Sequence, residues 1–165
     1  KKDWITPPVL LKILIASPDV ATFDLQPEMA SDEITEKLMN ELSTEIPDFV
    51  VCNFPNADMV GHSGVHQATR ESAEAVDRSL EKIVPLALSL GYTILLTGDH
   101  GNAECKFGKT ETSHTTNDVP FTLISENQKY KNISLKSGMG LKNIFATVCD
   151  ILNIETSSIH EKSLF

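Results

Sequence analysis

The strongest constraint in this chain is an alternation of short apolar runs with longer stretches of helical spacing. Four runs rich in Ile, Leu, Val and Phe have strand length and breaker residues nearby: Leu11 to Ala16, Phe49 to Phe54, Tyr92 to Thr97 and Val119 to Ile124. Between the first two, Ile34, Leu38, Leu42 and Ile46 recur at spacings of four, which predicts a helix with Ser31 as its N-cap and Pro47 beyond its end. Between the second and third, Ala68, Ala75, Val76, Ile83 and Leu86 stripe a helix over 67–90 that Pro85 should bend or break and Gly91 should cap. Ile144, Val148 and Leu152 mark a last helix over 141–152. Alternation with long crossovers predicts an α/β fold: a mostly parallel sheet with helices on both faces, a three-layer α/β/α arrangement. Chemistry in such folds collects beyond the carboxyl ends of the strands.

Composition narrows the function classes. With 165 residues, 41% of them hydrophobic and 22% charged, the chain has enough material for one core. Fourteen basic against 23 acidic residues give a formal charge of -9, which leaves no electrostatic footprint for nucleic acid and suits cations. No apolar stretch approaches the roughly 20 residues of a membrane-spanning helix, and Lys12 interrupts the apolar run near the start. Cys52, Cys105 and Cys149 are odd in number and widely scattered, which predicts reduced thiols and a cytoplasmic location. The chain opens on Lys1 in a loop-like K-K-D-W-I-T-P-P, so a natural start further upstream is expected.

The polar chemistry gathers after the apolar runs. Asp58 and His62 form D-M-V-G-H, Asp99 and His100 stand in T-G-D-H-G-N directly after the third run, and His114 stands in S-H-T-T-N before the fourth. Adjacent residues of a strand face opposite ways, so Asp99 and His100 share a site only if the chain turns there, which Gly98 and Gly101 permit. Carboxylate and imidazole suit Zn or Mn, and thiolate-rich structural zinc would need cysteines that are not so placed. Five candidate ligands exceed what one open tetrahedral ion uses, and two ions roughly 3.5 to 4 Å apart suit phosphoryl transfer. A lone D-x-x-x-H is most often a surface helix pair or a satisfied core histidine; three such elements, each at a strand edge and two of them beside glycine, favour the site. His66 reads as an exposed second-turn residue, and His160 has no companions.

N-F-P-N-A-D-M-V-G-H-S-G at 53–64, T-G-D-H-G-N-A-E at 97–104 and S-H-T-T-N-D-V-P-F at 113–121 closely resemble the cofactor-independent (2,3-bisphosphoglycerate-independent) phosphoglycerate mutase family. A-T-F-D-L-Q-P-E-M at 21–29 and the closing I-L-N-I and E-K-S-L-F resemble it too. D-H-G alone marks only the wider alkaline phosphatase superfamily. The resemblance implies an alkaline-phosphatase-like domain with two manganese ions and no 2,3-bisphosphoglycerate. Asp58, His62 and His114 would hold one ion; Asp99 and His100 would help to hold the other, completed in the family by an aspartate and a serine near the amino terminus. That serine is the nucleophile, and a second domain inserted after it clamps the substrate with arginines.

Residues 1–165 would then be the carboxyl-terminal part of the phosphatase-type domain, incomplete, with the nucleophile and the clamp domain absent. Only Arg70 and Arg78 exist, both on the predicted 67–90 helix, and neither Ser63 nor Ser113 has an activating residue at hand, so catalytic and substrate-binding residues are unassigned.

As an intact protein the expected activity is interconversion of 3- and 2-phosphoglycerate in glycolysis through a phosphoserine intermediate, by a monomer. The alternatives are another superfamily enzyme, such as a phosphopentomutase, phosphatase or phosphodiesterase, or a non-catalytic metal-binding fragment. Zinc or cobalt would also fit the ligand set. The sequence departs from the family pattern at Pro55 and Ala57, which look exchanged, at Asp118 in place of proline, in a short stretch from Cys105 to Thr112, and over Lys1 to Lys12.

Overall fold

A computed structural model of the chain describes residues 11–104, 112–155 and 161–165. The expected helices form. α1 (Ser31–Thr44) starts at its anticipated cap, one residue earlier than expected: Ala30 is the N-cap, and Ser31 is the first helical residue with its hydroxyl buried. A cap must keep extended or turn geometry outside the helix, and Ser31 has already entered it. Ile46 leaves the helix end at φ 45°, one residue before Pro47. α2 (Asn56–Gly61) is a short helix carrying Asp58 in its first turn. α3 (His66–Ser89) runs through Pro85 without ending there. It buries Ala68, Ala75 and Ile83 of the anticipated stripe, with Ser72 and Ser79 turned to the same side.

Gly91 ends α3 at φ +84°: its N–H donates to Leu88 O at 3.0 Å and the N–H of Tyr92 to Ala87 O at 3.0 Å, a Schellman closure that only a residue at ease in the left-handed region sustains without cost. A 3₁₀ turn, Leu141–Asn143, leads into α4 (Ile144–Leu152), which closes the same way on Asn153 at φ 54°.

Packing is led by helices. α2 and α1 both lie against α3, and Met29, Val60 and Ala68 form a buried cluster with Phe23 packed against it. The buried Asn56 amide donates to Pro27 O at 3.0 Å and Glu28 O at 2.8 Å, tying the start of α2 to the segment before α1. The tail returns to α4: the Leu164 N–H donates to Thr147 Oγ1 at 3.0 Å, and the Asn143 amide donates to Lys162 O at 2.9 Å.

The sheet differs from expectation. Among the described residues it has two strands, β1 (Ile94–Thr97) and β2 (Phe121–Ile124), and they run antiparallel, pairing Ile94 with Ile124 and Thr97 with Phe121. The apolar runs at 11–16 and 49–54 are in no strand of the described residues. An apolar run records that a segment wants cover, but not which strand supplies its ladder. Here Leu14 and Val51 are 79% and 81% exposed. Antiparallel pairing has a local consequence that a parallel crossover would not: the chain leaving β1 and the chain entering β2 meet at one end of the ladder. The isolated bridge between Gly101 and Thr115 extends that meeting beyond the strands.

Candidate metal centre

Three segments deliver the polar residues to this end of the ladder. On α2, Asp58 and His62 are four apart and share a face, with the His62 N–H donating to Asp58 O at 3.0 Å as the helix closes. After β1 the chain turns through Gly98 and Asp99 to His100. Before β2, His114 precedes Thr115, whose N–H donates to Gly101 O at 2.8 Å.

Asp58, His62 and His114 offer one ligand atom each within 4.8 Å of one another. Asp58 Oδ1 lies 3.3 Å from His62 Nε2 and 3.2 Å from His114 Nε2, and the two imidazole nitrogens are 3.1 Å apart. His62 Nδ1 donates to the carbonyl of Thr112 at 2.6 Å. With its hydrogen committed there, His62 presents the lone pair of Nε2 to the cluster. The three side-chain atoms converge closely enough for one cation to sit among them. One oxygen and two imidazole nitrogens are a borderline donor set suited to a divalent transition ion. The residues present therefore fit a metal.

His100 stacks on His114 with ring centroids 3.8 Å apart, and its Nδ1 is 3.9 Å from Asp58 Oδ1. Asp99 sits at the exposed rim with its Oδ2 3.6 Å from His100 Nε2. The turn thus places Asp99 and His100 beside the first three residues. Among the described residues, however, they complete no second group of three ligands. His66, the first residue of α3, is exposed, and His160 lies outside the described residues. The Ser63 hydroxyl donates to Val60 O at 2.6 Å and accepts the Val65 N–H at 3.1 Å, so it serves the turn between α2 and α3. Arg70 pairs with Glu74 at 2.9 Å on the exposed face of α3, and Arg78 is exposed on the same helix.

Three residues that hold the candidate ligands in place escaped the sequence reading. Asn102, buried, donates its amide to Asp58 Oδ1 at 2.6 Å. Glu104 accepts the Asn102 N–H at 2.7 Å and the Thr115 hydroxyl, and these hydrogen bonds, led by that of Thr115, hold its carboxyl down to about 2. Thr112 contributes only a carbonyl. Asn102 and Glu104 do carry a sequence signal, since they lie two and four residues after His100 in H-G-N-A-E. A backbone carbonyl leaves no signature in residue type.

Residues 8–156 match the family model of the metalloenzyme superfamily. The chain belongs to that superfamily. Its similarity to other superfamily members includes 44% identity over 147 residues with the 2,3-bisphosphoglycerate-independent phosphoglycerate mutase of Hahella chejuensis, covering 87% of this chain and 28% of that protein. With the enzyme of the same name from Clostridium botulinum it is 42% identical over 151 residues, covering 89% and 29%. Among solved structures, that of Leishmania mexicana phosphoglycerate mutase at low cobalt concentration superposes with a TM-score of 0.81 at 32% identity, covering 91% of this chain and 30% of that one. The fold is therefore the alkaline-phosphatase-like α/β fold of the superfamily in part. The chain spans less than a third of the length of these relatives.

Proposed function

We infer that the 165 residues are part of a metal-dependent phosphoglycerate mutase, which as an intact cytoplasmic protein interconverts 3- and 2-phosphoglycerate by way of a phosphoserine. The observation that carries this reading is the convergence of Asp58, His62 and His114 on one point, in a chain whose similar proteins bear that enzyme's name. Asp58, His62 and His114 hold one divalent ion. Asp99 and His100 supply part of a second site, with the remaining ligands and the nucleophilic serine elsewhere in the longer protein. Manganese is the ion we expect, with zinc or cobalt accommodated by the same donors.

A bound ion supplies Lewis acidity toward a phosphoryl oxygen. The chain's own groups do the positioning. Thr112 O fixes which nitrogen of His62 faces inward, and the Asn102 amide holds the Asp58 carboxylate in register with both imidazoles. The substrate carries carboxylate and phosphate charges that call for bidentate arginines. Arg70 is turned away on the outer face of α3, so the clamp belongs to the remainder of the protein. There too the runs at 11–16 and 49–54 would enter the larger, mostly parallel sheet of a three-layer domain.

Two measurements test this. Titration of the 165-residue chain with Mn2+ should show a divalent site that disappears in Asp58→Ala, and failure of the chain to take up any divalent ion would sink the metal assignment. The intact protein should interconvert the two phosphoglycerates while the 165 residues alone do not. Turnover by the chain alone would mean that its own residues include the nucleophile.

A further inference from the structure

The ligand residues sit on three segments that are far apart in sequence, and a side chain that is not itself a ligand joins two of them. Glu104 Oε1 accepts the hydroxyl of Thr115 and the amide of Asn117, the latter at 2.9 Å. Its Oε2 accepts the N–H of Asn102 at 2.7 Å. Thr115 and Asn117 flank the entry to β2 just after His114, and Asn102 closes the turn that carries His100. Asn102 also reaches the third segment, because its amide donates to Asp58 Oδ1 at 2.6 Å and lies 3.4 Å from His62 Nε2. Each of these bonds to Glu104 is charge-assisted, hence shorter and stronger than its neutral counterpart.

The backbone agrees with the side chains. Thr115 N–H donates to Gly101 O at 2.8 Å, and a methyl group on Gly101 would collide with Thr115 Oγ1 and with the Glu104 carboxylate. The carboxylate therefore occupies space left by the missing side chain, directly beneath the crossing of the two segments.

We propose that Glu104 is a positioning residue of the metal centre, clamping the His100 turn to the His114 segment and, through Asn102, setting the Asp58 carboxylate where the two imidazoles meet. This deepens the metal-dependent reading above and rests on it. Groups one shell removed from a metal commonly govern affinity by orienting the ligands. A stapling role confined to loop stability would lower melting temperature and leave the ion's surroundings as they are.

Cobalt(II) serves as the probe, since its visible absorption reports coordination independently of turnover. The chain is titrated with Co2+ as wild type, Glu104→Ala, Glu104→Gln, Thr115→Val and Gly91→Ala, with circular dichroism and melting temperature recorded for each. Glu104→Ala should weaken Co2+ by about 10- to 100-fold and diminish the absorption band. Glu104→Gln keeps an oxygen for Thr115 and Asn117 but turns an NH2 toward the Asn102 N–H, so it should fall between wild type and Ala. Thr115→Val should weaken binding without changing the charge. Gly91→Ala destabilises the fold away from the site and should leave affinity and spectrum at wild-type values.

Wild-type affinity and spectrum in Glu104→Ala would overturn the proposal, as would an equal loss of affinity in Gly91→Ala. Should Glu104→Ala fail to fold, wild-type binding in both Glu104→Gln and Thr115→Val would overturn it instead. Absence of Co2+ binding by the wild type would defeat the metal reading itself. Binding by the wild type with no change in the Glu104 variants defeats only the clamp.

Discussion

At the scale of single residues, His62 and His114 separate function from stability. Their side chains are 39% and 51% exposed, so neither contributes much packing. Replacing either with alanine should change the unfolding free energy of the metal-free chain by no more than about 0.5 kcal/mol. It should also weaken divalent metal by on the order of 100-fold or more, since a lost ligand costs beyond what a supporting group does. Urea denaturation and metal titration on the same samples check both halves.

Glu104 adds a dependence on acidity. Hydrogen bonds in the folded state hold its carboxyl down to about 2, below its unfolded value, so the stability it lends is fully present above the ordinary carboxylate range. That contribution drains away as pH falls toward 2. The stability difference between wild type and Glu104→Gln, both metal-free, should therefore be steady near pH 6 and shrink on acidification below about pH 4.5. A difference that stays constant down to pH 2.5 would contradict the assigned hydrogen bonding.

At the scale of elements, closure at Gly91 is the clearest case of backbone geometry acting alone. Nothing lies within 4 Å of where a side-chain carbon would sit, so Gly91→Ala suffers no collision and only the left-handed conformation opposes it. The expected loss is about 1 kcal/mol, read as a fall in the urea midpoint with the slope unchanged. The helices were legible in the sequence because apolar residues at spacings of four leave a trace in the order of residues, and Gly91 announced its own role. The sheet was legible only as apolar segments. Tyr92 to Thr97 and Val119 to Ile124 did supply β1 and β2, but ladder direction is a property of two segments and neither records it. The candidate ligands could be read because Asp and His recur together in short motifs next to the apolar runs. Asn102 was not, since its importance lies in burial against Asp58, and burial follows from the way α2 and the β1 exit pack together.

At the scale of the whole molecule, the exposed apolar residues set the behaviour of the chain in solution. Leu14 and Val51 stand on runs that pair with nothing among the described residues, and large uncovered apolar surface favours association. Sedimentation of the 165 residues should show mass rising with concentration. The double variant Leu14→Lys with Val51→Lys should hold the chain closer to a monomer while binding metal as before. Concentration-independent mass in the wild type would show that these runs find cover within the chain.

The bridge between Gly101 and Thr115 also governs how this region tolerates change over evolution. With the bonds from Glu104 to Thr115 and Asn117, it ties the segment that ends at Glu104 to the segment that begins at Thr112, so a change of length between these two need not displace His114. Doubling that length would cost only about 0.6 kcal/mol of closure entropy. Residues added between Glu104 and Thr112 would then leave in place the bonds by which Glu104 holds Thr115 and Asn117 beside His114.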